Sequence, residues 1–124
     1  MPIPIIDLFA GPGGLNEGFS RVVDSRGKQV FSTLTSVECE QTAHATLELR
    51  ALFRRLDDAG RKRYKAYVCG EIARQALFES AGAAGDEAKQ EAMLATLGQS
   101  AAVDAEIEAR IGHALRKAAP AARA

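Results

Sequence analysis

The sequence predicts the first half of an α/β domain, with three parallel strands joined by right-handed helical crossovers and followed by a helical segment. Three observations predict this class. A short apolar stretch at the N-terminus leads into a glycine-rich turn and an amphipathic helix. A second apolar stretch, residues 30–37, ends at an acid, Glu38. A further helix is indicated over residues 40–56 by apolar side chains at helical spacing.

The glycine-rich turn lies between the first strand, predicted over residues 1–9, and a helix predicted from 15 to about 24. Its residues Gly11, Gly13 and Gly14 let the backbone turn tightly and approach a ligand without a Cβ in the way. The free N–H groups at the start of the helix point back at the turn, where they suit a polar or anionic ligand. A strand, a glycine turn and a helix together form the opening unit of a nucleotide-type binding site.

The spacing of the glycines excludes two common nucleotide-binding motifs. A dinucleotide fingerprint requires G-x-G-x-x-G, and its third glycine would fall at Asn16. A Walker phosphate loop requires Gly-Lys followed by Ser or Thr, which the chain lacks. The residues from Asp7 to Phe19 follow another pattern, D-L-F-A-G-x-G-G-x-x-x-G-F, without a gap.

This pattern resembles the first motif of the DNA cytosine-5 methyltransferases, which bind S-adenosylmethionine. The resemblance implies that residues 1–124 are the N-terminal, cofactor-binding part of a Rossmann-like methyltransferase domain. It further implies methyl transfer to cytosine C5 in DNA and a bacterial enzyme of the restriction–modification type. The resemblance covers most of the chain in layout, but specific residues match only in the first motif, at Glu38 and more loosely at Glu71.

The resemblance also assigns contacts with the cofactor. Phe9 and Cys39 would pack against the adenine ring, and Asp7 would help to set the turn. Glu38 would accept hydrogen bonds from the two ribose hydroxyls, and Glu71 from the exocyclic amine of adenine. The methionine end would be held by backbone N–H groups of the turn: Ala10, Gly11, Gly13, Gly14 and Leu15.

Three of these residues have a second interpretation. Glu38 is also typical of a solvated turn, and Glu71 of the first turn of a helix, where the helix dipole favours acids. Cys39 stands at a helix N-terminus, a setting that can lower the pKa of a thiol. For Cys39, packing is favoured over reactivity.

The rest of the chain is predicted as one strand and several helices. The third strand is predicted at Tyr64 to Cys69, with Glu71 just past its end, and the spatial order of strands as 3-2-1. Residues 73–124 are mostly helical; Asp86 is predicted to cap a helix that ends near Leu97, and Ser100 to cap the last helix.

The charges give little indication of a nucleic-acid surface. Lysine and arginine number 16, aspartate and glutamate also 16, so the chain has no net formal charge. A basic group is interpreted as a solvated helix end rather than a nucleic-acid patch, because no aromatic residues alternate with the cations. It comprises Arg50, Arg54, Arg55, Arg61, Lys62 and Arg63.

The catalytic residue of the resembled family is missing. In that family a cysteine in a Pro-Cys pair after the fourth strand attacks cytosine C6. Here Cys39 follows Glu38 and Cys69 follows Val68. We therefore expect no catalytic residue in this chain, no activity of the chain alone, and an uncovered edge on the first strand. A truncation, a fragment, or one half of a split enzyme whose second chain carries the catalytic half are the alternatives.

Other functions stay open. The chain could be a non-catalytic module that binds S-adenosylmethionine or a partner protein, or a methyltransferase acting on RNA. The two cysteines form neither a metal motif nor a disulfide framework, so the cytoplasm is the expected location. No metal site is expected, because the two cysteines form no metal motif. No membrane contact is expected, since the chain has no membrane-spanning apolar run and no signal sequence.

Overall fold

Apolar and β-branched segments form a parallel sheet at the centre of the structure, a computed structural model that describes residues 1–119. The strands are β1 (Ile3–Leu8), β2 (Phe31–Glu38) and β3 (Ala92–Leu94). Their order is β1-β2-β3, and both pairs are parallel. The predicted α/β class with three parallel strands is confirmed, and it is consistent with a partial Rossmann-like fold.

Six helices connect and cover the strands within residues 1–119. They are α1 (Gly14–Ser20), α2 (Gln41–Arg55), α3 (Asp58–Val68), α4 (Arg74–Ala81), α5 (Ala83–Glu91) and α6 (Ala101–Ala118). Within this described part, none is long and apolar enough to pass through a lipid bilayer. The predicted cap of the last helix is confirmed, because the Ser100 hydroxyl accepts from the N–H of Val103.

The predicted third strand, Tyr64 to Cys69, is wrong: these residues form the end of α3 and its C-cap. Asp57 caps this helix by accepting from the N–H of Gly60 at 2.8 Å. The rings of Tyr64 and Tyr67 lie 6.3 Å apart, as side chains three residues apart on one helix face do. The strand preference of tyrosine and valine concealed this helical spacing.

The third strand is formed instead by residues 92–94, which were predicted to lie in a helix ending near Leu97. Ala92 and Met93 are buried beside Ser36 and Val37 of the central strand. Contact with β2 thus overrides the helix preference of this alanine-rich segment. The predicted order 3-2-1 had residues 64–69 as its third strand. The observed third strand is a different segment, so the predicted order is not confirmed. Asp86 lies in the first turn of α5, whose N-cap is Gly82.

The first helix is shorter than predicted. It ends at Ser20 rather than near residue 24, because Val23 pairs with Gln29 in an isolated antiparallel bridge. Asp24 closes the tight turn between them by accepting from the N–H groups of Arg26 and Lys28.

Two clusters of buried apolar residues form the core. One joins α2, α4 and α5 through Ala51, Leu52, Leu77, Phe78 and Ala88. The other consists of Val37, Met93 and Ile107, so α6 packs on β2 and β3. Val103 and Ile111 of α6 also pack against this second cluster.

β1 lies at the edge of the sheet and is poorly covered. Ile3 and Leu8 of this strand are 54% and 40% exposed, and Phe9 just after it is 74% exposed. Leu15, at the start of α1, is 64% exposed. The uncovered edge expected for the first strand is thus present among residues 1–119.

Candidate functional site

The glycine turn joins the carboxyl end of β1 to α1 and lies against the end of β2. Three of its residues, Phe9, Gly11 and Gly13, have positive φ angles of 59°, 59° and 93°. The N–H of Ala10 donates to the carbonyl of Val37 at 2.9 Å, and that of Gly13 to the carbonyl of Ala10 at 3.2 Å. The turn therefore lies at the carboxyl edge of the parallel sheet, where open α/β domains bind their ligands.

Glu38 and the glycine turn are in direct contact. The N–H of Gly11 donates to Oε1 of Glu38 at 3.1 Å, although 27 residues separate them. Oε2 accepts from the N–H of Glu40 at 2.8 Å. A carboxylate has about four acceptor positions, so these two backbone donors leave Glu38 able to accept from further hydroxyls. The expectation that the turn and this acid form one site is consistent with the geometry.

The glycines of the turn differ in what surrounds them. A Cβ on Gly13 would lie 2.9 Å from Cδ1 of Leu47, a fully buried residue of α2. Around Gly11 and Gly14 a Cβ would meet no described atom within 4 Å. Gly13 is therefore required for packing against α2, while Gly11 and Gly14 leave space that a ligand can occupy.

Asn16 fixes α1 to the central strand, and sequence reasoning missed it. Its side chain is fully buried; Nδ2 donates to Oγ of Ser36 at 2.8 Å. Its Oδ1 accepts from the Thr33 hydroxyl at 3.3 Å. The polar run Ser32, Thr33, Thr35 and Ser36 inside a buried strand was the signal that a polar partner lies on the neighbouring helix.

Asp7 is buried at the end of β1. Among the described residues its Oδ2 has no hydrogen-bond partner. Desolvation by burial raises the pKa of this carboxyl above its ordinary value. Asp7 precedes the turn, as predicted, but this oxygen is not bonded to the turn.

The apolar candidates beside the turn are open to solvent. Phe9 and Leu15 expose most of their surface, and Cys39 is exposed as well. The thiol of Cys39 lies 3.9 Å from Oε2 of Glu38. The side chain of Glu40 accepts from the N–H groups of Thr42 and Ala43, which lowers the pKa of Glu40 and takes up two free donors of α2. Those donors are therefore not available to the thiol.

Glu71 does not lie beyond a strand. It follows α3, its N–H donates to the carbonyl of Ala66 at 2.8 Å, and it is exposed. The adenine-binding role depended on a third strand at residues 64–69, and these residues are the end of α3 and its C-cap. Beyond the observed third strand lie Ala95 and Thr96, and the N–H of Ala95 donates to the carbonyl of Glu38 at 3.0 Å. The role of Glu71 stays a prediction without this positional support.

The basic residues at the end of α2 are not a solvated helix end. Arg54 pairs with Glu17 at 2.7 Å and with Glu91, which is only 3% exposed. Arg55 pairs with Glu91 at 3.0 Å and with Glu87 at 3.4 Å. The interpretation is wrong for these two arginines because they neutralise a buried acid. Lys62 and Arg63, on α3, are exposed.

A separate cavity of about 430 Å³ lies at the opposite end of β2, between α5 and α6. Its charged lining is mixed: Arg110, His113 and Lys117 face Asp86 and Glu87. This lining selects no class of ligand. The described residues also contain no group of three or more His, Cys, Asp or Glu side chains able to hold a metal ion.

Comparison of the chain with models of protein families, with curated protein sequences and with solved structures finds no match. The geometry itself brings the glycine turn and one carboxylate together at the carboxyl edge of a parallel sheet. Such a site can recognise a ligand that carries both hydroxyl donors and polar acceptors.

Proposed function

We propose that this chain is the S-adenosylmethionine-binding portion of a DNA cytosine-5 methyltransferase of the restriction–modification type. The observation that carries the proposal is the 3.1 Å hydrogen bond from Gly11 to Glu38. It joins the two parts of the sequence, 27 residues apart, that the resemblance assigns to one cofactor.

The chain's own residues would divide the cofactor between them. Glu38 would accept from the ribose hydroxyls with its remaining acceptor positions. The exposed ring of Phe9 would stack on the adenine, which shields both flat surfaces from water. Backbone donors at Gly14 and Leu15 would hold the methionine end, next to Gly14, around which no side chain closes the space. The N–H groups of Ala10, Gly11 and Gly13, which the resemblance also assigns to this end, already donate within the fold.

The chemical step requires a second set of residues. Cytosine C5 becomes nucleophilic only when a thiolate adds to C6, and in the resembled family that thiolate follows a proline. Cys39 and Cys69 are free but follow Glu38 and Val68. The catalytic half is proposed to dock along β1, whose outer edge pairs with no described residue and whose Ile3 and Leu8 are exposed. The DNA substrate would be bound by the assembled enzyme, which the two free thiols suggest belongs in the cytoplasm.

Calorimetric titration with S-adenosylhomocysteine tests the site. Wild-type chain is expected to bind, and Glu38→Ala to bind about tenfold or more weakly, because two charge-assisted hydrogen bonds are lost. Glu108→Ala, an exposed glutamate of α6, is the matched control and should bind like wild type. Glu71→Ala decides whether that acid takes part. Equal binding by wild type and Glu38→Ala would remove Glu38 from the proposed role.

A non-catalytic binding module is the second candidate, favoured by the lack of a Pro-Cys pair in the sequence. It predicts cofactor binding without methyl transfer, whatever chain is added. The enzyme half predicts transfer of labelled methyl groups to duplex DNA once a chain carrying a Pro-Cys catalytic segment is supplied. Parallel reactions with RNA separate the two polynucleotide substrates.

A further inference from the structure

One face of α2 contacts the glycine turn and the helix that follows it. Leu47, Arg50 and Arg54 follow one another at helical spacing and all contact the turn or the helix after it. Leu47 packs against Gly13, and Nη2 and Nη1 of Arg54 reach Glu91 and Glu17. Between them, Nη1 of Arg50 donates to the carbonyl of Pro12 at 3.1 Å. This contact joins residues that are 38 positions apart.

The turn needs such support. Phe9 is the one non-glycine residue with positive φ in residues 1–119, and Gly11 and Gly13 share that region. A backbone with several residues in sparsely populated conformations persists only when its surroundings hold it. The Pro12 carbonyl stands between Gly11 and Gly13, so a bond to it restrains both.

Arg50 has no competing ionic partner in the described part of the chain, unlike Arg54 and Arg55. Its aliphatic stem packs against the turn: Cδ of Arg50 lies 3.7 Å from the position that a Cβ on Gly13 would occupy. The side chain therefore contacts the turn twice, through its stem and through its guanidinium.

We propose that Arg50 is a positioning residue that fixes the glycine turn in its ligand-binding conformation through the Pro12 carbonyl. It acts on the affinity for the cofactor through the turn rather than by touching the cofactor. This inference rests on the proposed function, because the ligand used to test it is the nucleoside cofactor.

The test compares Arg50→Met, Arg50→Lys and Arg63→Met with wild type. Methionine keeps the stem and removes the donors, lysine keeps a donor, and Arg63 is an exposed arginine of α3. Affinity for S-adenosylhomocysteine is measured by calorimetry, and the amide signals of Gly11, Gly13 and Gly14 by NMR without ligand. Melting temperatures of all four proteins are measured alongside.

Arg50→Met is expected to bind about tenfold more weakly, the effect of one hydrogen bond from a charged donor. Its glycine amide signals should shift, lysine should restore affinity and signals in large part, and Arg63→Met should match wild type. A purely structural role would lower the melting temperature without moving affinity at temperatures where the protein is folded.

Two results would overturn the inference. The first is wild-type affinity in Arg50→Met while wild type binds well, which leaves the proposed function standing. The second is unchanged glycine amide signals in Arg50→Met. If wild type itself binds no S-adenosylhomocysteine, the proposed function fails, and with it the claim about affinity; the amide signals still decide whether Arg50 fixes the turn.

Discussion

At the scale of single residues, the glycines of the turn serve different purposes although they look equivalent in the sequence. Gly13 has positive φ and a close neighbour, Leu47; Gly14 has neither. Glu38 likewise does more than a turn glutamate, because it bonds to the turn and to the start of α2. These distinctions depend on neighbours far along the chain.

Gly13→Ala is expected to destabilise the fold by about 2 kcal/mol, from the left-handed backbone and the contact with Leu47. Gly14→Ala, in the first turn of α1 with open space around it, should be neutral or stabilise by up to about 1 kcal/mol. Urea denaturation measures both free energies of unfolding. Equal losses at the two positions would show that Leu47 does not restrict Gly13.

Asp7→Asn is expected to raise the melting temperature at neutral pH by roughly 3 °C, because it removes a buried charge. Burial raises the pKa of Asp7 in the folded state. The carboxyl therefore stabilises the fold most below its ordinary pKa, and this contribution is lost as the pH rises through the raised value. The variant should lack that part of the pH dependence. Identical pH profiles of melting temperature would contradict the assignment.

At the scale of elements, α2 connects the two halves of the described chain. Its buried side builds the cluster with α4 and α5, and its arginines reach α1, α5 and the turn. Glu91, the last residue of α5 and the residue before β3, is the acid on which this connection depends. The position of the third strand is thus tied to the position of α1 through Arg54.

Arg54→Met is expected to cost about 2 kcal/mol, because it leaves buried Glu91 with Arg55 alone and Glu17 unpaired. The loss is smaller than for a fully orphaned buried charge, since Arg55 remains. Adding Glu91→Gln to Arg54→Met should recover part of it, which a double-mutant cycle in urea measures. If the changes in the free energy of unfolding simply add, Arg54 and Glu91 are not coupled. Arg63→Met, which replaces an exposed arginine, is the control.

At the scale of the whole molecule, local signals predicted the first half of the fold well. The turn, β2, α2 and the position of Glu38 at the end of β2 were predicted because their patterns are complete within about a dozen residues each. The role of Glu38 in binding stays a prediction. β3 could not be found in this way, since three residues in an alanine-rich segment become a strand only by pairing with β2 and packing against α6. The predicted position of Glu71 beyond a strand is wrong because the segment before it is helical. The contacts of Asn16 and Arg50 could not be predicted, since their partners are distant in sequence.

The unpaired side of β1 also affects how the protein behaves in solution. An exposed strand edge with apolar neighbours is a template for any other extended chain, including a second copy of itself. A high protein concentration therefore favours self-association through this edge. A partner that added a strand there would cover this edge and would thereby prevent the self-association.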